Sequence, residues 1–326
     1  MDEQAFLGHA GREPKGGAGV NLRPYQSECK REIFLKLALH KSTLVEMATG
    51  LGKTIVFAFL AHEWPGRVLV IAHRDELIRQ AAKHIQDITG DEVGIEMGME
   101  SVQDSLYGNK VVVGSVQTLS RARRRQRFHP DHFSLIICDE GHHGVAQSYR
   151  DVFEHFTSAK LLFVTATPKR GDEVGLEAVC DTVAYQYGIE PAIDDGWLVP
   201  LRPVIVKVDG LDFSKARTVA QDFNQGDLEK ILTEEAPLHR MCASAFELIG
   251  KRQALWFCTS VKHANDMATV LERYAGNGNV EFLSGDTPKE DRRRVVDRYK
   301  AGDIQHLCNC GLFLEGFDAP LTSAIV

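Results

Sequence analysis

The chain has 326 residues, a length that suggests two domains of ordinary size. Hydrophobic residues at 44% and charged residues at 25% are globular values and exclude a disordered, collagen-like or coiled-coil chain. With 38 basic against 45 acidic residues the net charge is −7, which argues against unspecific wrapping of a polyanion and shifts attention to local clusters.

The N-terminus, Met1-Asp2-Glu3-Gln4, lacks the basic-then-apolar order of a signal peptide. Residues 1–20, rich in Gly and charge, carry no hydrophobic periodicity and read as a flexible arm. From Leu22 onward short apolar runs alternate with amphipathic stretches. Thr43–Met47, Val68–Ala72, Val111–Val113, Leu135–Cys138 and Leu161–Val164 read as strands buried on both faces, with helical patterns such as Glu76–Ile88 between them. Continuous aliphatic strands separated by helices predict an α/β domain with a mostly parallel sheet, here over 21–196. The pattern breaks at Asp194-Asp195-Gly196. A second series then covers 197–326: strands at Val204–Val208, Ala254–Cys258, Val280–Leu283, Ile304–Cys308 and Ser323–Val326, and helices at Leu238–Ile249, Val261–Tyr274 and Lys289–Lys300.

The longest apolar stretch, Ile55–Ala61, is far shorter than the ~20 residues of a membrane helix, so no membrane partner is expected. The 7 cysteines include no CxxC pair, which excludes a disulfide framework or zinc site and fits a cytoplasmic protein. Cys138, Cys308 and Cys310 read as core residues. His142-His143 and His129 with His132 lack further ligands at metal spacing and read as polar loop residues.

After the Thr43–Met47 strand comes Ala48-Thr49-Gly50-Leu51-Gly52-Lys53-Thr54, then a helical pattern. Glycines let the backbone turn its N–H groups into one concavity, and the helix N-terminus favours phosphate. Lys53 would contact the β- and γ-phosphates of ATP, and Thr54 would offer its hydroxyl to Mg²⁺. The general pattern G-x-x-x-x-G-K-[ST] is met in part, since Met47 stands at its first glycine. Further on, the Leu135–Cys138 strand runs into Asp139-Glu140-Gly141-His142. Residues just past the carboxyl end of a strand in such a sheet face the ligand crevice, so Asp139 would hold Mg²⁺ and Glu140 would polarise the attacking water.

With these motifs in order, the chain resembles a superfamily two helicase or translocase, near the DEAD/DEAH-box proteins and the motor subunits of restriction enzymes. The resemblance implies two RecA-like domains, the second incomplete, binding ATP and Mg²⁺ between them while moving on nucleic acid. Leu22-Arg23-Pro24-Tyr25-Gln26 resembles the adenine-reading segment, with Gln26 on the base and Arg23 assisting. The segments bearing Arg74 (Ala72–Leu77) and Gln117 and Thr118 (Gly114–Leu119) resemble strand-contacting motifs. Thr165-Ala166-Thr167-Pro168 resembles the motif coupling hydrolysis to movement. In the second domain, Thr259 and Ser260 and then Gly285 fall in further nucleic-acid motifs, while Gly316 and Asp318 of Glu315-Gly316-Phe317-Asp318 would touch nucleotide and strand. Ser260, Thr287 and Thr118 are equally readable as helix caps. Gly141 stands where the commonest box has Ala, which is expected to leave the chemistry intact, and Leu314 stands where Thr is common.

Arg121, Arg123, Arg124, Arg125 and Arg127 form one basic run and Arg292, Arg293 and Arg294 another; each suits phosphate contact or a solvated helix face. The whole-chain likeness tilts the expected partner towards DNA over RNA. No nuclease signature is present, so cleavage would need a partner protein. The sequence stops at Val326, before the motif whose arginine reaches the γ-phosphate in such motors, so hydrolysis is expected to be slow unless a partner supplies that arginine. The alternative is a nucleotide-gated DNA- or RNA-binding switch or defence component that does not separate strands.

Overall fold

The computed structural model describes residues 21–73, 75–102, 108–141, 146–166, 180–219, 222–313, 317 and 319–326. The chain divides into two compact units, the first ending at Leu201 and the second beginning at Arg202.

The first unit carries strands β1 (Ser42–Met47), β2 (Val68–Ala72), β3 (Val93–Glu96), β4 (Val111–Ser115), β5 (Leu135–Asp139), β6 (Lys160–Thr165) and β7 (Val183–Tyr187). They form one seven-stranded sheet in the order β3-β4-β2-β5-β6-β1-β7, every pairing parallel. The aliphatic runs explain the two covered faces. Val45, Met47, Val68, Val70, Ile137 and Val164 pack towards the helices Pro24–Leu39, Lys53–Glu63 and Asp75–Thr89. Their neighbours along the same strands, Leu44, Leu69, Ile71, Ile136, Cys138 and Phe163, pack on the other face with Phe133, Phe156 and the helix Gln147–His155. Alternate residues of a strand point to opposite faces, so a strand apolar at every position must be covered twice. Cys138 is fully buried, and that burial pushes its thiol well up, as expected of a small core hydrophobe.

The second unit begins with a segment without regular secondary structure, followed by a short antiparallel pair, β8 (Thr218–Val219) and β9 (Asp222–Phe223). A parallel sheet of β10 (Gln253–Phe257), β11 (Val280–Leu283), β12 (His306–Asn309) and β13 (Thr322–Ile325) follows, in the order β11-β12-β10-β13. The helices Glu235–Ile249 and Val261–Ala275 cover one face through Cys242, Met267 and Leu271, and Lys289–Ala301 covers the other through Val295 and Tyr299. This is the expected α/β architecture of two RecA-like domains, the second sheet being small.

Three differences from expectation have physical causes. Val204–Val208 forms no strand, and Ile205 is 98% exposed, because an apolar run becomes a strand only beside a partner edge. Strands β3 and β7 escaped the sequence reading because Val-Gly-Ile-Glu and Val-Ala-Tyr-Gln-Tyr are edge segments without a continuous aliphatic run. The segment at Pro24 opens a 16-residue helix, proline occupying a first-turn position where its missing N–H costs nothing. Among the described residues no helix is long and apolar enough to cross a membrane.

The core of the second unit contains a titratable group. His306 is fully buried on β12; its Nδ1 accepts from Trp256 Nε1 at 3.2 Å, and burial lowers its pKa to about 4. Below the ordinary histidine value of 6.5 the unfolded chain takes a proton that the folded chain refuses, so stability is full above that value and falls as pH drops towards 4. Urea unfolding of the second unit at about pH 7.5 and about pH 5 is expected to show a lower midpoint in acid, and His306→Gln is expected to flatten that dependence while keeping an acceptor for Trp256.

Candidate nucleotide site

The loop after β1 is shaped by two glycines in the left-handed region, Gly50 at φ +90° and Gly52 at φ +74°. An L side chain at either position would be strained. Gly52 is the residue before the helix Lys53–Glu63, so the loop ends on a helix N-terminus. Leu51 is fully buried between the glycines, and its carbonyl accepts from Tyr25 Oη at 3.0 Å and Gln26 Nε2 at 2.9 Å. Gln26 Oε1 in turn accepts from the Arg23 backbone N–H at 2.9 Å. The proposed base-reading glutamine therefore holds the phosphate loop by one end and the start of the first helix by the other. Thr49 and Gly50 are exposed, and Lys53 and Thr54 are half-buried.

Lys53 Nζ donates to the Met47 carbonyl at 3.1 Å. Burial lowers its pKa, and the nearby carboxylates of Glu140 and Asp139 work in the opposite direction. Asp139 lies at the end of β5, where burial, and secondarily the Glu140 charge, raise its pKa to about 6, against the opposing effects of Lys53 and the Glu140 N–H. That N–H donates to Asp139 Oδ1 at 3.1 Å. Two carboxylates within electrostatic reach of one lysine make this the acidic end of the site. The sheet register explains how residues some 90 positions apart meet. Strand β6 lies between β1 and β5, pairing Glu46 with Thr165 and Asp139 with Val164, so the carboxyl ends of all three strands stand level. Thr165, fully buried, closes β6 at that level.

Gly141, where the commonest box has Ala, is packed against β6. A Cβ there would lie 2.9 Å from Phe163 Cβ, 3.1 Å from Val164 N and 3.2 Å from Phe163 Cα, so the missing methyl is space that β6 occupies. Glu140, immediately before it, has φ +51°, the one described non-glycine residue with positive φ.

The other motif residues are placed as follows. Gln117 Oε1 accepts from Ser115 Oγ at 2.7 Å and its Nε2 donates to the His73 carbonyl at 2.9 Å, tying the ends of β4 and β2. Thr118 caps no helix; its Oγ1 accepts from Gly98 N at 3.0 Å. In the second unit Ser260 is a helix cap, accepting from His263 N at 3.0 Å, and Thr259 Oγ1 meets His263 Nδ1 at 3.2 Å. Gly285 lies in a turn closed by Thr287 Oγ1, which accepts from Ser284 N at 3.0 Å. Arg74, Thr167, Gly316 and Asp318 lie outside the described residues, as do His142, His143, Leu314 and Glu315.

Both basic runs are partly committed to structure. Arg124 Nε donates to Glu96 Oε1 at 2.7 Å, and Arg127 lies 3.6 Å from the same oxygen; Glu96 is fully buried and also accepts from Val102 N at 3.0 Å. Arg292 braces the Gly285 turn, donating to the carbonyls of Ser284, Gly285 and Thr287 at 3.0–3.3 Å, while Arg294 pairs with Asp291 at 3.1 Å. Arg121 and Arg123 are exposed. Sequence reasoning missed Glu96 because a lone acid closing a short edge strand carries no signal of burial. It also missed Trp197 and Leu198, which lie in the stretch that reads as a connection but pack against Arg23 and Gly50.

A phosphate-type loop and an acidic turn at the level ends of two strands of one parallel sheet, with β6 between them, define a P-loop α/β protein. The family described as Type III restriction enzyme, res subunit, matches residues 19–170, and Helicase conserved C-terminal domain matches residues 238–326. The DNA 3'-5' translocase XPB2 of Sulfurisphaera tokodaii is 31% identical over 340 residues, spanning 94% of this chain and 74% of that protein. IRC3 of Saccharomyces cerevisiae is 31% identical over 305 residues, 86% of this chain and 43% of that protein. A solved fragment assigned to the HsdR subunit of a type I restriction enzyme from Vibrio vulnificus YJ016 shares the fold with a TM-score of 0.70 at 23% identity, over 92% of this chain and 56% of that one. The chain belongs to the superfamily two helicases. It spans about half the length of the curated relatives matched first, 43% and 51%.

Two substitutions test this geometry. Gly141→Ala is expected to displace the Glu140 turn, lowering ATP turnover about tenfold or more while ATP binding persists, as measured by steady-state rates beside equilibrium binding. Arg124→Ala is expected to cost about 3 kcal/mol in the first unit's unfolding free energy, because it strips the buried Glu96 of its main partner. Arg123→Ala is expected to leave stability unchanged in the same denaturation experiment.

Proposed function

We propose that the chain is a nucleic-acid-dependent ATPase that moves along or separates DNA. The observation that carries this reading is the meeting of Lys53, Asp139 and Glu140 at the level strand ends of one parallel sheet, in a member of the superfamily two helicases. In this assignment the loop from Thr49 to Gly52 turns its amides towards the phosphates, Lys53 neutralises the β- and γ-oxygens, and Thr54 with Asp139 would hold Mg²⁺. The metal supplies charge neutralisation on the phosphates. Glu140 orients and polarises the attacking water, and Gln26 with Arg23 faces the base. DNA is favoured because a relative similar over 94% of this chain is named a DNA translocase. Thr165, Gln117, Thr118, Thr259, Ser260 and Gly285 are proposed to couple the site to the bound strand, with Arg74, Thr167, Gly316 and Asp318 assigned to the same machinery.

ATPase rates without nucleic acid and with single-stranded DNA, double-stranded DNA or RNA test the substrate class, and strand displacement separates unwinding from movement or switching. Glu140→Gln is expected to keep ATP binding and lose roughly 10²-fold or more in turnover. Lys53→Ala is expected to weaken ATP binding itself, since it removes the cation that holds the phosphates. Equal turnover in wild type and both variants would end the enzymatic reading.

A further inference from the structure

The base side of this site contains an aromatic group with no role so far. Trp197 follows the helix Ile189–Asp194, and the backbone N–H groups of Trp197 and Leu198 both donate to the buried Ala192 carbonyl, at 2.8 Å and 3.0 Å. These two hydrogen bonds to one acceptor fix the backbone that carries the indole. The guanidinium of Arg23 lies over the Trp197 ring, 5.2 Å from its centroid, and Arg23 Nη1 donates to Tyr25 Oη at 3.2 Å. The Tyr25 ring meets Trp197 edge-on at 5.1 Å and the Tyr187 ring at 5.1 Å, while its hydroxyl donates to the Leu51 carbonyl of the phosphate loop at 3.0 Å. Leu198 Cδ2 lies 3.1 Å from where a Cβ on Gly50 would stand.

We propose that Trp197 is a positioning residue that holds the Arg23 guanidinium for the base of a purine nucleotide; this rests on the nucleotide-binding reading above. An exposed arginine is a long side chain with many rotamers, and binding through it ordinarily requires that freedom to be lost. Held over an indole and steered by the Tyr25 hydroxyl, the exposed guanidinium is already oriented, and among the described residues Tyr25 is the side chain its donors meet, which leaves others for a heteroaromatic ring. Phosphate groups are held by the loop amides and Lys53, so Trp197 acts only on the part of the affinity that depends on the base.

The test uses competition between ATP and inorganic tripolyphosphate, both with Mg²⁺, on the full chain. Trp197→Ala is expected to weaken ATP binding about tenfold and leave tripolyphosphate binding unchanged, and Trp197→Phe is expected to restore most of the loss by keeping an aromatic face. Arg23→Ala is expected to show the same ATP-selective loss, and the double variant to lose no more than either single one. Equal weakening of ATP and tripolyphosphate in Trp197→Ala would reduce the indole to a support for the phosphate loop, and unchanged ATP binding or an additive double variant would overturn the proposal. If the wild-type chain bound neither ligand, the nucleotide reading itself would fail, a result distinct from these.

Discussion

The parallel ladder of β5, β6 and β1 is the constraint on which the candidate site depends. Neither the phosphate-type loop nor the acidic turn has a fixed position of its own; each is an irregular segment hung on the end of a strand. Because β6 pairs Glu46 with Thr165 and Asp139 with Val164, both segments leave the sheet at one level, and Lys53 comes within electrostatic reach of Asp139 and Glu140. A slip of one residue would turn Asp139 to the opposite face and place Cys138 at the strand end. Ile137 and Val164 belong to one core and Cys138 and Phe163 to the other, so a slip would exchange the residues packed into the two cores.

Much of this was legible in the sequence for the same reason. Strands buried on both faces are written as unbroken aliphatic runs, and β2 coincides with its run to the residue. The phosphate loop was legible because Gly50 and Gly52 mark backbone that only glycine adopts at no cost. Illegible features depend on distant neighbours. Nothing local in Leu-Arg-Pro-Tyr-Gln says that the glutamine amide will be spent on the Leu51 carbonyl, and nothing in Asp-Glu-Gly says that β6 will fill the place of a methyl. Val204–Val208 fails in the opposite sense: its pattern is that of a strand, but pairing is a property of two segments and the pattern describes one.

Charge shows how composition and structure diverge. A net charge of −7 and a dense arginine run suggest an acidic protein with one basic surface. Yet Arg124 and Arg127 are drawn to the buried Glu96, and Arg292 lies along three backbone carbonyls. A buried carboxylate must be paired, and guanidinium, with its forked donors and weak hydration, satisfies one acid and several carbonyls together. The run is thus divided between fastening the edge of the sheet and facing solvent, and only the second part is free for a polyanion.

The contacts of Lys53 and Gln26 bear on how such a site can respond to nucleotide. Lys53 rests on the Met47 carbonyl and Gln26 on the Leu51 carbonyl, each a single hydrogen bond to a neutral acceptor. Charge-assisted bonds to phosphate are shorter and about twice as strong as neutral ones, so exchanging the lysine contact for phosphate is favourable without rebuilding the backbone. Glu140 stands in a turn of left-handed φ, and Gly141 after it is seated against β6. Positive φ at a residue with a side chain is unfavourable and persists only when the surroundings dictate it. Here the dictating surroundings are Phe163 and Val164, one step before the buried Thr165. The backbone that carries the Glu140 carboxylate is therefore held against the end of β6.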